Sequence, residues 1–205
     1  MKIQKLSEGA ESEIYSLKFL GFDSVLKKRI RKRYRVEELD RNIRVQRTRN
    51  EARIIGMMSS LGVNAPSLLL LEKYDIIMTR LYGTNLNNLL DSDSGINFDK
   101  IFSSLGKYIA ILHNNEIAHG DFTPANVILD KNRNVYLIDF GLSEITNSIE
   151  DKALDILLMK RSVDVRHFGS LIKSYKSICR CQKDVLDRLA EIEKRGRYNT
   201  RTLLA

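Results

Sequence analysis

The sequence predicts an α+β fold built as two small lobes, a β-rich N-lobe over residues 1–81 and a reduced helical C-lobe over 82–205. Three observations carry that reading. Short runs of β-branched and aliphatic residues, parted by turn residues, crowd the first lobe. From Tyr82 onward, apolar residues return at the spacing of helices. Two brief apolar stretches around residues 130–134 are the exception, and read as a small hairpin within the helical part.

Residues 2–6 and 13–19 form the first two strands and flank Ser7-Glu8-Gly9-Ala10-Glu11-Ser12, a turn built around a glycine. Residues 23–30 make a third strand carrying Val25, Leu26 and Lys27. A helix follows over 48–61, with Ile54, Ile55, Met58 and Leu61 on one face and Gly62 as its stop. Strands at 67–71 and 75–79 complete a five-stranded sheet. In the second lobe, residues 98–113 place Ile101, Phe102, Leu105, Tyr108, Ile109 and Leu112 at helical spacing behind Asn97, a capping residue. Short strands at 127–129 and 135–138 come next, then helices over 151–162, 166–179 and 183–194. The ending, 194–204, is basic and reads as a flexible tail.

Composition excludes several classes. At 43% hydrophobic and 29% charged, the chain reads as a soluble globular protein. No apolar run approaches the roughly 20 residues that span a bilayer, so no membrane partner is expected. The start Met1-Lys2-Ile3-Gln4-Lys5 has no apolar stretch behind it, which points to the cytoplasm. Cys179 and Cys181 fall on a predicted helix at a spacing that points them apart, so no disulfide is expected there. With three histidines and no C-x-x-C pair, structural zinc is not expected either.

The net charge of +8 is not spread evenly. Residues 27–53 hold 12 Lys or Arg against 4 Asp or Glu, and the remaining 22 basic and 22 acidic residues balance. One segment therefore carries the whole excess. Such a focused field suits RNA or an acidic protein surface, where a bland reading would make it a solvated helix face.

The chemistry concentrates in His119-Gly120-Asp121-Phe122-Thr123-Pro124-Ala125-Asn126 and in Asp139-Phe140-Gly141. Asp121 and Asn126 enter one short strand and Asp139 leaves the next, so a hairpin is expected to bring all three to one end. Carboxylate and amide oxygens suit magnesium. A carboxylate kept off the metal can orient a hydroxyl or water for attack.

This pattern resembles the phosphoryl-transfer site of protein kinases, with its H-R-D-x-x-x-x-N and D-F-G signatures. The resemblance implies a minimal bilobal protein-kinase-like fold and a set of roles. Lys27, in Val25-Leu26-Lys27, would hold the phosphates of ATP, positioned by Glu51 on the following helix. Asn126 and Asp139 would hold magnesium, and Asp121 would be the catalytic carboxylate. The front hairpin Leu6, Ser7, Glu8, Gly9, Ala10, Glu11, Ser12, Glu13 and Ile14 would cover the phosphates. Blander readings remain: Lys27 as one more solvated cation, Glu51 as a helix partner of Arg47 or Arg53, and Asp155 as an exposed carboxylate in place of a brace for the catalytic loop. Gly120 replaces the usual arginine, the A-P-E element is absent, and the front loop has Gly9 alone.

The pieces Glu8-Gly9-Ala10-Glu11, Lys32-Arg33-Tyr34-Arg35, Glu38-Leu39-Asp40, 47–53, His119-Gly120-Asp121 and Arg195-Gly196-Arg197-Tyr198 resemble the small atypical kinases of the KEOPS complex, the PRPK-type or Bud-type kinases, in an archaeal-like version. The basic insert and short activation segment set the chain apart from ordinary kinases and from RIO kinases. The resemblance implies an ATP- and magnesium-dependent serine/threonine kinase or ATPase. Its complex forms threonylcarbamoyladenosine next to the anticodon of tRNA. Partners implied are the transferase subunit, other KEOPS subunits and tRNA, contacted through 27–53 and the C-terminal tail. Two rivals stand beside it: a stand-alone RIO-like or small-molecule phosphotransferase, and a non-catalytic RNA-binding scaffold.

Overall fold

In the computed structural model, residues 3–90 and 95–202 are described, with side chains through residue 195. The elements in chain order are β1 (Gln4–Glu8), β2 (Ser12–Phe19), β3 (Phe22–Arg29), α1 (Glu37–Met58), β4 (Leu68–Leu71), β5 (Asp75–Thr79), β6 (Thr84–Asn85) and α2 (Leu86–Leu90). They continue with α3 (Phe98–Asn114), β7 (Ile117–Ala118), a 3-10 turn (Pro124–Asn126), β8 (Val127–Leu129), β9 (Val135–Leu137) and β10 (Glu144–Ile145). The last three are α4 (Ile149–Ser162), α5 (Val165–Ile178) and α6 (Gln182–Thr202). The chain divides into two compact units, residues 1–84 with 128–142, and 85–127 with 143–205.

The first unit carries an antiparallel sheet in the order β1-β2-β3-β5-β4. β3 is central, and its Lys27 faces Ile14 on one side and Ile76 on the other. β2 and β3 join through Leu20 and Gly21, both at positive φ (50° and 84°), the backbone that a two-residue hairpin requires. Edge strand β1 is exposed along its length and charged, with Lys5 paired to Glu8 and Glu13, which discourages pairing with another chain. α1 buries Ile54, Ile55 and Met58, and the chain turns away at Gly62 (φ 70°).

Helix α1 corrects the sequence reading. It begins at Glu37, eleven residues before the expected start, so five of the twelve basic residues of 27–53 lie on it, Arg41, Arg44 and Arg47 in its first turns, and seven precede it. Those turns lack an apolar stripe, which hid them from a reading based on periodicity. Glu37, Glu38 and Asp40 at the N-terminal end complement the helix dipole where Val36 offers no side-chain cap.

In the second unit, α3 and α5 pack closely around Gly106, where a Cβ would lie 2.2 Å from the Leu171 carbonyl oxygen. Asn97 caps α3, accepting from the Lys100 backbone N–H at 3.1 Å. Phe102, Leu105, Ile109, Leu112 and Tyr175 are among its fully buried side chains. α4 starts at Ile149, leaving only residues 142–148 after Gly141. Two expectations fail here. Cys179 and Cys181 lie at the junction of α5 and α6 rather than on one helix, with their sulfurs 3.6 Å apart. The basic ending expected as a tail continues α6 through Thr202; its side chains from 196 on, and residues 203–205, lie outside the described residues.

Candidate active site

Within the first unit the sequence-predicted cation and two of the predicted carboxylates meet. Alternation along β3 turns Lys27 inward and Lys28 out to solvent. Lys27 Nζ donates to Glu51 Oε1 at 2.6 Å and to Asp139 Oδ1 at 2.7 Å. Glu51 comes from the middle of α1 and is 1% exposed, so it needs compensating charge. It has two such partners, because Arg29 Nη2 donates to Glu51 Oε2 at 2.5 Å. Among the described residues Glu51 pairs with Lys27 and Arg29, not with Arg47 or Arg53 as the bland reading had it.

Asp139 sits just past β9 in the left-handed region (φ 59°), a conformation that aspartate tolerates better than most residues. Its Oδ1 also accepts from the Gly141 N–H at 3.1 Å, which closes the turn. A Cβ at Gly141 would lie 2.9 Å from Asp139 Oδ1, 3.1 Å from Arg29 Nη2 and 3.3 Å from Lys27 Nζ. Glycine is therefore the residue that lets this turn approach two cations. The Asp139 side chain is 49% exposed, in contrast to its buried partner Lys27.

The front hairpin joins β1 to β2, with Ser7 opposite Ile14 and Glu8 opposite Glu13; Leu6 falls at an irregularity in the pairing. Gly9 N–H donates to the Ser12 carbonyl at 2.9 Å, bracketing Ala10 and Glu11. Glu11 is ion-paired with Arg47, with Arg35 Nη2 at 3.6 Å and with Arg29 Nη1 at 3.8 Å. The roles of Arg29 and of this arginine cluster were missed in the sequence. Residue 29 is two beyond Lys27 and shares its face of the strand, a signal masked by the run of neighbouring basic residues.

The second unit holds the other two predicted residues. Asn126 Nδ2 donates to Asp121 Oδ2 at 2.8 Å and to the Asp121 carbonyl at 2.9 Å, fixing the carboxylate and leaving Oδ1 as the amide's metal-type atom. Asp155, 1% exposed on α4, accepts from the backbone N–H of His119 at 2.7 Å and of Gly120 at 2.8 Å. It braces the loop; the exposed-carboxylate reading is wrong. Its third contact is His113 Nε2 at 3.2 Å, and His113 Nδ1 lies 2.8 Å from the Tyr175 hydroxyl. Burial pushes the His113 imidazolium to a lower pKa than usual, against the pull of Asp155. The ring is therefore neutral near pH 7, donating from Nε2 and accepting at Nδ1. Gly120 has φ 80°, a backbone in which the arginine of typical kinases would be strained.

Among the described residues no three His, Cys, Asp or Glu side chains cluster as a ready-made metal cage. The half-exposed carboxylate of Asp139 and the amide oxygen of Asn126 are oxygen donors of the kind magnesium takes.

A family model described as the RIO domain matches residues 10–168. The chain is 36% identical over 214 residues to the KEOPS complex subunit Bud32 of Pyrococcus abyssi, covering 96% of this chain and 97% of that protein. The chain belongs to the RIO-domain family, in its Bud32 group. The earlier expectation that it stands apart from RIO proteins is thereby corrected: the matched span runs from the front hairpin through α4 into α5, which the short segment after Gly141 leaves intact. Other relatives of this RIO-domain chain are longer. A probable bifunctional tRNA threonylcarbamoyladenosine biosynthesis protein of Methanosphaera stadtmanae is 32% identical over 200 residues, covering 93% of this chain and 36% of that one. Its counterpart in Methanocaldococcus jannaschii is 33% identical over 202 residues, with 94% and 36% coverage. The chain thus spans about a third of the length of these bifunctional relatives. The Rio2 kinase of Chaetomium thermophilum, in a complex with ADP, magnesium and phosphoaspartate, superimposes with a TM-score of 0.63 at 17% identity, covering 95% of this chain and 72% of that one. The RIO-domain chain therefore has a kinase-like fold, with a β-sheet in its N-terminal region and helices in its C-terminal region. No helix among the described residues is long and apolar enough to cross a membrane.

Proposed function

We propose that this chain is the ATP- and magnesium-dependent kinase or ATPase subunit of a KEOPS-type complex that forms threonylcarbamoyladenosine in tRNA. The observation that carries this is the buried Lys27–Glu51 pair with Asp139 on the same ammonium, in a RIO-domain chain whose Pyrococcus relative is a named KEOPS subunit. Lys27 binds the nucleotide's phosphates, oriented by Glu51. Asp139 and Asn126 would hold magnesium, which when bound would supply charge neutralisation at the transferring phosphate. Asp121 accepts or orients the proton of the attacking hydroxyl or water, held for that task by Asn126 and, through the backbone, by Asp155. The hairpin 6–14 covers the phosphates. The seven residues 142–148 offer little platform for a peptide, which supports hydrolysis or phosphorylation of a bound partner over broad serine/threonine kinase activity. The partners are the transferase and other KEOPS subunits together with tRNA, reached through the exposed cations of 27–53 and the basic C-terminal end of the chain, and the site of action is the cytoplasm.

The test is Asp139→Ala in the reconstituted complex. ATP turnover and tRNA modification are expected to disappear together. Modification at the native level with ATP turnover gone would contradict the reading.

A further inference from the structure

Arg29 has no assigned part in the reaction described above, yet it is 5% exposed and lies on the same face of β3 as Lys27. Its guanidinium divides between two acids. Nη2 is 2.5 Å from Glu51 Oε2, and Nη1 is 3.8 Å from Glu11 Oε2. Its buried Nε has no hydrogen-bond partner, so the side chain serves two carboxylates at the expense of its own third donor.

Glu11 lies at the bend of the front hairpin. Its backbone carbonyl accepts from the Ile30 N–H at 3.1 Å, directly after Arg29. Its carboxylate is gripped from the other side by Arg47 and Arg35. Burial alone would raise the Glu11 carboxyl pKa, but Arg47, Arg29 and Arg35 outweigh it and hold it below the usual range. The acid stays ionised, and the grip persists at neutral pH. A lysine at 29 could not span both acids, because its point charge lacks the planar fork.

We propose that Arg29 is a positioning residue that bridges Glu51, the partner of Lys27, to Glu11, and so sets where the front hairpin lies over the nucleotide's phosphates. The phosphate part of this rests on the ATP reading above; the bridge itself does not.

The experiment compares Arg29→Lys and Glu11→Gln in the full chain, with Glu37→Gln, which loses a surface pair with Arg31 and one of three acids at the start of α1, as control. Three quantities are read: amide hydrogen exchange over residues 9–14, ADP affinity in magnesium, and KM and kcat for ATP. Exchange, ADP Kd and KM are each expected to rise about tenfold in both variants, with kcat within about twofold, as loss of a charge-assisted contact predicts. The double variant is expected to be no worse than Glu11→Gln alone, since that change already breaks the bridge together with the Arg35 and Arg47 pairs. A lower Tm with unchanged exchange and KM would reduce Arg29 to a structural ion pair and overturn the proposal. Were Arg29→Lys to misfold, Glu11→Gln is compared with the double variant Arg35→Gln and Arg47→Gln, which removes the other two pairs of the same carboxylate: higher exchange in Glu11→Gln supports the bridge, and equal or unchanged exchange overturns it. If the native chain neither binds ADP nor turns over ATP, the functional reading fails, while exchange over 9–14 still tests the bridge.

Discussion

Lys27 and Lys28 are adjacent, yet the fold treats them as different chemical objects. One is 5% exposed between Glu51 and Asp139; the other faces water. Removing the Lys27 ammonium leaves two carboxylates short of a partner, one of them buried, where breaking a pair costs about 3–5 kcal/mol. Lys27→Ala is expected to lower Tm and abolish measurable ATP binding by titration calorimetry, whereas Lys28→Ala leaves both near native. Equal losses would place the strand register one residue off. At the same scale, His113 stabilises the fold only while neutral. Its folded pKa is lowered, so its contribution is fully present above the unfolded value of about 6.5 and is lost as pH falls through the folded value. Tm measured from pH 7.5 downward is expected to separate native from His113→Gln most at neutral pH, with the two curves converging below about pH 6.5. A constant separation would contradict the neutral-ring assignment. Single residues with strong motif context, such as Lys27, Glu51, Asp121, Asn126 and Asp139, stand out in the sequence. Arg29 and His113 do not, because what defines them is a partner far away in the chain: Glu51 for one, Asp155 and Tyr175 for the other.

At the level of elements, periodicity located strands β3, β5 and β8 and helix α3 to within a residue or so, since each buries a regular apolar set. It missed the first eleven residues of α1, where the helix is held by charge rather than by an apolar face. Arg44 reaches the buried Asp40 at 2.7 Å, and Asp40 accepts from the Lys32 N–H at 3.0 Å, tying the basic insert to the helix. Some of the segment's cations are thus spent internally: Arg29, Arg35, Arg44 and Arg47 all have acidic partners. The exposed set on α1 includes Arg41, Arg49 and Arg53. Replacing those three with Gln changes helix propensity little, so Tm is expected to stay near native. Affinity for tRNA is expected to fall, and the slope of log affinity against log salt to shrink by as much as about three if each meets one phosphate. An unchanged slope would count against α1 as the RNA-facing element.

Across the whole molecule, charge and chemistry separate along the sequence. The surplus of basic residues sits in 27–53, and the motifs proposed to carry the magnesium and proton chemistry sit in 119–141. The first unit holds Lys27, its two carboxylate partners and the front hairpin; the second, taken by itself, holds Asp121 and Asn126 on a loop braced by Asp155. Kinase-like ancestry was legible because the two signature motifs and the lysine appear in the required order. The extent of α6 was not, because its last turns are polar and carry no periodic signal. The most direct measurement is magnesium-dependent phosphate release from ATP by the native chain and by Asp139→Ala, each with the transferase subunit and tRNA present. The account predicts release by the native chain that requires magnesium and falls at least about a hundredfold in the variant. Equal release from both, or release indifferent to magnesium, would contradict it.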